Sequence, residues 1–293
     1  MYEAIIAKHL RPMTPQPTER EPQLATLEGV RAVLFDIYGT LLISGSGDIG
    51  TAAATDRTEA LAAALADAGL DYRGDPAAAL EDFRRVIEEH HAKGRAAGVE
   101  FPEVRIGEVW SDAAALWVKR GDLPTPPEGS CLSKLAIEYE MRVNPVWPMP
   151  GLVETLQQLR RRGKVLGVIS NAQSFTPRLF AAAGGELESI ASLEALGIDH
   201  DLQFFSFESR RAKPGTALYE EAAAALHARG LAPEQVLYVG NDLRNDVKPA
   251  AAVGFRTALF AGDARSLRLR EEDGLDVTAD LEITELPQLL DCV

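Results

Sequence analysis

Cysteine is almost missing from this 293-residue chain, which has only Cys131 and Cys292, far apart and outside any CxxC or Cys/His spacing. Their scarcity excludes a disulfide framework and a structural zinc site and points to a reducing, cytoplasmic setting. Long apolar runs are also missing. No stretch approaches the length that spans a bilayer, and the N-terminal MYEAIIAKHL is interrupted by Lys8 and His9 before it could form a signal-peptide core. Basic residues are in deficit, 30 Lys and Arg against 44 Asp and Glu, for a formal net charge of −14. A field of that sign repels nucleic acid and anionic membranes, so neither is an expected partner. It also repels a small anionic substrate unless local positive charge or a bound cation offsets it. There is no internal repeat, and no low-complexity tract beyond alanine-rich helical segments.

What is present is an α/β rhythm interrupted once. Residues 1–28 are polar and proline-rich and read as a loose arm. The run Ala32–Ile37 is apolar but for Asp36, and unbroken rather than alternating hydrophobicity through Phe35 is the mark of a strand buried on both faces. From 45 to 145 the texture is helical: TEALAAALADAGL, the run Ala77 to His91, IGEVWSDAAALWVKR and SKLAIEYEMRV are separated by proline and glycine. After Pro145 the alternation resumes, with KVLGVIS, LQFFSF, QVLYVG and FRTALF as strands among amphipathic helices. The expected fold class is α/β, a doubly wound parallel sheet formed by 29–44 and 146–293, with an all-helical cap of 45–145 inserted after the first strand.

Ligands of open parallel sheets sit beyond the carboxyl ends of the strands. Four segments put chemistry there: Asp36 with Ile37-Tyr38-Gly39-Thr40, Ser170-Asn171, Lys213-Pro214, and Asn241-Asp242-Leu243-Arg244-Asn245-Asp246. Singly, each is ordinary turn or helix-cap material. Jointly they form a coherent set. A carboxylate can attack phosphorus or carbon and form a covalent intermediate that water hydrolyses. Thr40 and Ser170 supply hydroxyl donors, backbone N–H groups near Gly39 can hold an anion, and Lys213 brings fixed positive charge. Asp242 and Asp246 can gather a hard cation such as Mg²⁺, which prefers oxygen ligands and would offset the acidic field.

FDIYGTLL, VISNA, AKPGTALY and VGNDLRND resemble the four ordered motifs of the haloacid dehalogenase superfamily. The resemblance covers about residues 31–44 and 146–262, and 45–145 corresponds to the family's C1-type cap. It implies a Rossmann-type core with Asp36 as nucleophile. Thr40 and Ser170, with Gly39 and Asn171 beside them, would bind the transferred group. Lys213 would balance charge, and Asp36, Asn241, Asp242 and Asp246 would hold Mg²⁺. The implied substrate is a small phosphorylated, anionic metabolite, hydrolysed through an aspartyl-phosphate.

Two departures from the family pattern pull in opposite directions. Tyr38 stands in the catalytic position where family phosphatases carry a second, acid–base aspartate, and a phenol with a pKa of about 10 is a poor proton carrier near neutrality. Asp-Ile-Tyr-Gly-Thr-Leu is similar instead to the first motif of the L-2-haloacid dehalogenases, which cleave carbon–halogen bonds without metal. The fourth motif resembles the metal loop of the phosphatases, with Asn241 replacing the commoner first aspartate. Motif four carries more weight, because paired acids beside a nucleophilic carboxylate repel unless a cation sits among them. Dehalogenation, or binding without catalysis on the same scaffold, are the alternatives.

Other residues have plainer readings. His90-His91 beside Glu88 and Glu89 reads as a solvated helix face, and Arg160-Arg161-Arg162 suits a helix C-terminus. Trp110 and Trp117 share a helical face and should pack the cap core, as Tyr219 should pack a helix of the main domain. Arg210-Arg211 could extend a positive rim. Asp48 and the glycines of the Ser44–Gly50 loop suit a hinge for a closing lid.

Overall fold

Strand β1 (Ala32–Phe35) is buried at all four positions. In the computed structural model, which describes residues 2–46, 54–182 and 192–293, it lies inside a six-stranded sheet. The other members are β4 (Val165–Ser170), β5 (Gln203–Phe205), β6 (Val236–Gly240), β7 (Arg256–Phe260) and β8 (Leu281–Ile283), in the order β5-β4-β1-β6-β7-β8. Every pairing in it is parallel, so all strands present their carboxyl ends to one edge. β1 pairs with β4 from Ala32↔Val165 and with β6 from Ala32↔Val236, which brings Asp36, Ser170 and Asn241 to adjacent strand ends.

Two short strands absent from the sequence reading make the stem of the insertion. β2 (Leu42–Ser44) runs antiparallel to β3 (Val146–Pro148), with Ser44 opposite Val146. The chain leaves and re-enters the core through this ribbon. The edge strand β8 was also unforeseen: three residues are too few to display a period. The hinge residue Asp48 lies outside the described residues.

Residues 2–28 are not the loose arm their composition suggested. Helix α1 (Tyr2–His9) buries Ile6 completely and is followed by buried Leu10. Beyond it, the extended chain bonds backbone to backbone at Gln23 and Glu282, alongside β8. Arg20 grips the Glu282 carboxylate with two bonds, of 2.5 and 2.6 Å. Proline removes helix but not extended pairing, and pairing there covers an otherwise open sheet edge.

The insert consists of α2 (Ala54–Asp67), α3 (Pro76–Ala96), α4 (Ile106–Arg120) and α5 (Gly129–Val143). α3 opens on an Asp75 cap with Pro76 in its first turn, and α4 closes on left-handed Gly121. These helices surround their own apolar cluster, in which Trp110 and Trp117 are fully buried and Phe83 stacks on Trp110 at 4.0 Å between ring centroids. Helices α6 (Leu152–Arg161), α7 (Thr176–Ala182), α8 (Ser206–Ser209) and α9 (Ala217–Ala228) follow within the main domain.

Candidate active site

β1 delivers Asp36 to the sheet edge, where its N–H still donates to Val239 O (2.9 Å) and so holds the backbone in strand register. The carboxylate is nearly buried. Lys213 Nζ reaches Asp36 Oδ1 at 2.7 Å and Asp246 Oδ1 at 2.6 Å, so one ammonium bridges two acids. Burial would lower the lysine's pKa, but Asp246 and Asp36 reverse this and hold it above the ordinary lysine range. Burial raises the Asp246 carboxyl to about 6; Lys213 opposes the rise and the nearby Asp36 charge adds to it.

Asp246 is fully engaged. Its Oδ2 accepts from the N–H groups of Asn241 and Asp242, each at 3.0 Å, and its Oδ1 also lies 3.1 Å from the Tyr238 hydroxyl. A Cβ on Gly240 would collide with this carboxyl, so glycine is required to let the loop fold back over it. Asp242 is engaged too: it caps the turn at Arg244 N and Asn245 N and pairs with Arg270 Nη2 at 2.6 Å. Of the fourth-motif residues proposed for metal, Asn241 keeps the freest oxygen; among the described residues its Oδ1 accepts only from Thr40 Oγ1, at 3.1 Å. Among the described residues no group of three or more His, Cys, Asp or Glu is arranged around a metal position.

Asp36, Tyr38, Asn171, Lys213, Asn241, Asp242 and Asp246 all line one cavity of about 210 Å³. Gly39, Thr40 and Ser170 stand behind that wall. Thr40 and Ser170 are fully buried. Among the described residues Ser170 Oγ has only the Asn171 carbonyl, at 3.5 Å, as a partner. Gly39 has φ +85°, and a Cβ there would meet Ser266 Cβ at 2.5 Å, so both conformation and space demand glycine. The Gly39 N–H donates to Leu42 O. The N–H groups of Ile37 and Tyr38 have no acceptor among the described residues. Asn171 clamps the lysine backbone: its Oδ1 accepts from Lys213 N at 2.8 Å and its Nδ2 donates to Lys213 O at 3.1 Å.

Tyr38 turns its hydroxyl to Thr176 Oγ1, at 2.9 Å. Burial, then the charge of Glu140, push its pKa well above the ordinary phenol. Sequence reasoning missed Tyr238, Arg268, Glu103 and Glu140. Tyr238 was detectable as a phenol inside an otherwise aliphatic strand, where its polar tip needs a partner. The two glutamates sit among ordinary helix and loop residues and carry no local signal.

Arg210 and Arg211 do not line this cavity, so the positive rim they could have extended is not built from them. Arg210 pairs with Glu108 at 2.6 Å, and the Arg211 backbone bridges to Pro102, while Arg268 lines the cavity. His90 bonds to Asp112 at 2.9 Å, so its helix face is less solvated than expected. Tyr219 is buried as anticipated, its hydroxyl on Asn245 O.

The chain matches the model of the haloacid dehalogenase-like hydrolases over residues 30–254. It belongs to that family. Membership makes it a hydrolase, and the parallel sheet with its helical insert is the family's architecture. A glyceraldehyde 3-phosphate phosphatase of Methanothermobacter thermautotrophicus is 27% identical over 266 residues, covering 89% of this chain and 100% of that one. A phosphoglycolate phosphatase of Xylella fastidiosa is 29% identical, covering 89% and 91%. Among solved structures, a 2-haloacid dehalogenase from Pseudomonas syringae superposes with a TM-score of 0.58 at 16% identity, covering 89% of this chain and 97% of that one. At that identity the likeness speaks for the shared fold. No helix among the described residues is long and apolar enough to cross a membrane.

Proposed function

We propose that this hydrolase removes phosphate from a small phosphorylated metabolite through an aspartyl-phosphate on Asp36. The supporting observation is the Asp36–Lys213–Asp246 bridge at the end of β1, in a chain whose full-length curated relatives are named as phosphatases. Lys213 leaves Asp36 Oδ2 free to attack phosphorus and holds the carboxylate in line. The unpartnered N–H groups of Ile37 and Tyr38 and the Ser170 hydroxyl are the donors for the phosphoryl oxygens. Thr40 and Asn171 act one layer back, on Asn241 and Lys213.

A magnesium ion suits this donor set in a reduced form. Asp36 and Asn241 offer oxygen atoms, whereas Asp242 and Asp246 are committed to Arg270, Lys213 and backbone N–H groups. Magnesium commonly binds through one or two carboxylates and retains several waters. When bound, it would neutralise charge on the transferred phosphoryl group. The helical insert closes the cavity from above and works as the cap.

The test is phosphate release from phosphoglycolate and glyceraldehyde 3-phosphate, with and without Mg²⁺, beside chloride release from L-2-chloropropionate. Mg²⁺-dependent phosphate release that disappears in Asp36→Asn supports the reading. Metal-independent chloride release lost in the same variant would replace it with dehalogenation.

A further inference from the structure

Cleaving an alkyl or aryl phosphate leaves an oxygen that needs a proton, and Tyr38 stands where the family's phosphatases keep the aspartate that supplies it. Tyr38 is poorly suited, being committed to Thr176 and shifted upward in pKa. Five carboxyls line the cavity. Asp36 is the nucleophile, Asp246 holds Lys213, and Asp242 holds Arg270. Glu103 has both oxygens occupied, Oε1 by Val104 N at 2.8 Å and Oε2 by Ser206 Oγ at 2.7 Å. Glu140 is different: its Oε1 accepts one long bond from Asn144 Nδ2, at 3.3 Å, and among the described residues it makes no other side-chain hydrogen bond.

Glu140 is nevertheless fixed in place. It sits in the last turn of α5, and Asn144, one turn on, accepts from Ser44 Oγ at 2.8 Å at the end of the stem strand β2. The carboxyl is thus tied through one amide to the segment that carries Tyr38 and Asp36. It lies where the cavity of Asp36 joins a second chamber of about 280 Å³ inside the insert, lined by apolar side chains such as Phe83, Ile87 and Trp110. Glu140 is thus the carboxyl shared by the wall of that chamber and the wall of the Asp36 cavity that is not already held by two hydrogen bonds.

On the phosphatase reading above, we propose that Glu140, contributed by the cap, is the general acid and base of this enzyme in place of the missing core aspartate. An Asp36 oxygen attacks phosphorus, and the bond from phosphorus to the leaving oxygen breaks with its electron pair. The Glu140 carboxyl proton passes to that oxygen. The Glu140 carboxylate then takes a proton from water as the water oxygen attacks the aspartyl-phosphate. The bond from phosphorus to Asp36 breaks, inorganic phosphate leaves, and Glu140 is protonated again. Burial raises the Glu140 pKa, with Asn144 and Arg57 opposing, which favours a protonated resting form. The titratable and charged groups lining the two cavities with it are Arg57 from α2, Arg84 and His91 from α3, Tyr139 beside it on α5, Glu103 before α4, and from the core Asp36, Tyr38, Lys213, Asp242, Asp246 and Arg268.

The experiment is a single-turnover measurement of leaving-group release, with enzyme in excess and Mg²⁺ present, for wild type, E140Q and E103Q. The probes are 4-nitrophenyl phosphate, whose phenolate departs unaided, and phenyl phosphate, whose phenolate needs a proton. E140Q is expected to release nitrophenolate at close to the wild-type rate and to slow phenol release by about a hundredfold. The retained nitrophenolate phase also reports that the variant is folded. Equal slowing of both probes, slowing of neither, or the selective loss appearing in E103Q instead would overturn the role of Glu140. A wild type that releases neither leaving group would remove the phosphatase reading and this proposal together, an outcome visible before any variant is compared.

Discussion

Thr40 Oγ1 lies 3.1 Å from Asn241 Oδ1, joining the first and fourth motifs across 201 positions of sequence. The same amide donates to Ser266 O at 2.5 Å, so its orientation is set and its oxygen faces the site. An aspartate at 241 would keep the acceptor for Thr40, lose the donor to Ser266, and add a charge beside Asp36. Asn241→Asp should therefore lower the Mg²⁺ concentration for half-maximal phosphate release by about tenfold, since ligand charge sets affinity at oxygen sites. It should also cost about 1 kcal/mol of stability for the lost bond. A magnesium titration of activity and a urea melt read the two effects.

Lys213 pairs with two buried acids at once, the one cation bonded to either among the described residues. Lys213→Ala leaves Asp36 and Asp246 facing each other without compensation. The expected loss is about 3–5 kcal/mol, the cost of stripping one partner from a buried pair. Urea unfolding followed by circular dichroism checks it, and phosphate release should vanish in parallel.

Trp110 is fully buried, stacked on Phe83 and edge-on to Tyr139 at 5.6 Å. Trp110→Ala should destabilise the insert by about 3–5 kcal/mol through lost burial and an unfilled cavity. Limited proteolysis should then cut within 54–143 before it cuts the sheet domain.

Helix α1 is fastened to α5 by charge as well as by Ile6. His9 Nε2 lies 2.6 Å from Glu138 Oε2, and Arg142 also bonds that carboxylate. Burial would raise the Glu138 pKa, but Arg142 and His9 outweigh it and bring it below the ordinary glutamate value. A depressed carboxyl pKa contributes stability that is present above the unfolded pKa, about 4.3, and is lost as pH falls through the folded one. Wild-type stability should drop below about pH 4.3, and Glu138→Gln should be less stable at pH 7 with a flatter acid limb. Urea midpoints measured between pH 7 and pH 3 test the sign; an unchanged acid limb in the variant would refute it.

Much of the fold was legible because parallel strands buried on both faces leave continuous apolar runs, as in AVLF and VLYVG. The insert was legible because its helices repeat their apolar positions at helical spacing around Trp110 and Trp117. The N-terminal arm was misread. Proline-rich composition speaks against helix, but it does not say whether extended chain will find a sheet edge to pair with, as Gln23 finds Glu282. β2, β3 and β8 were invisible for a related reason: three residues carry no period, and their pairing depends on partners far along the chain.

The sequence by itself determined the fold class, the family and the residue types at the strand ends, since local periodicity and short ordered motifs encode those. Tertiary structure alone decided which groups are free to act. Asp242 and Asp246 read from sequence as equal candidates for a cation, yet Arg270 and Lys213 claim them in the folded chain. Glu140 carries no motif at all, yet it lines the cavity of Asp36, where Asn144 ties the end of α5 to the stem at Ser44. A side chain's chemistry is local, but its availability depends on neighbours that only folding brings within hydrogen-bonding distance.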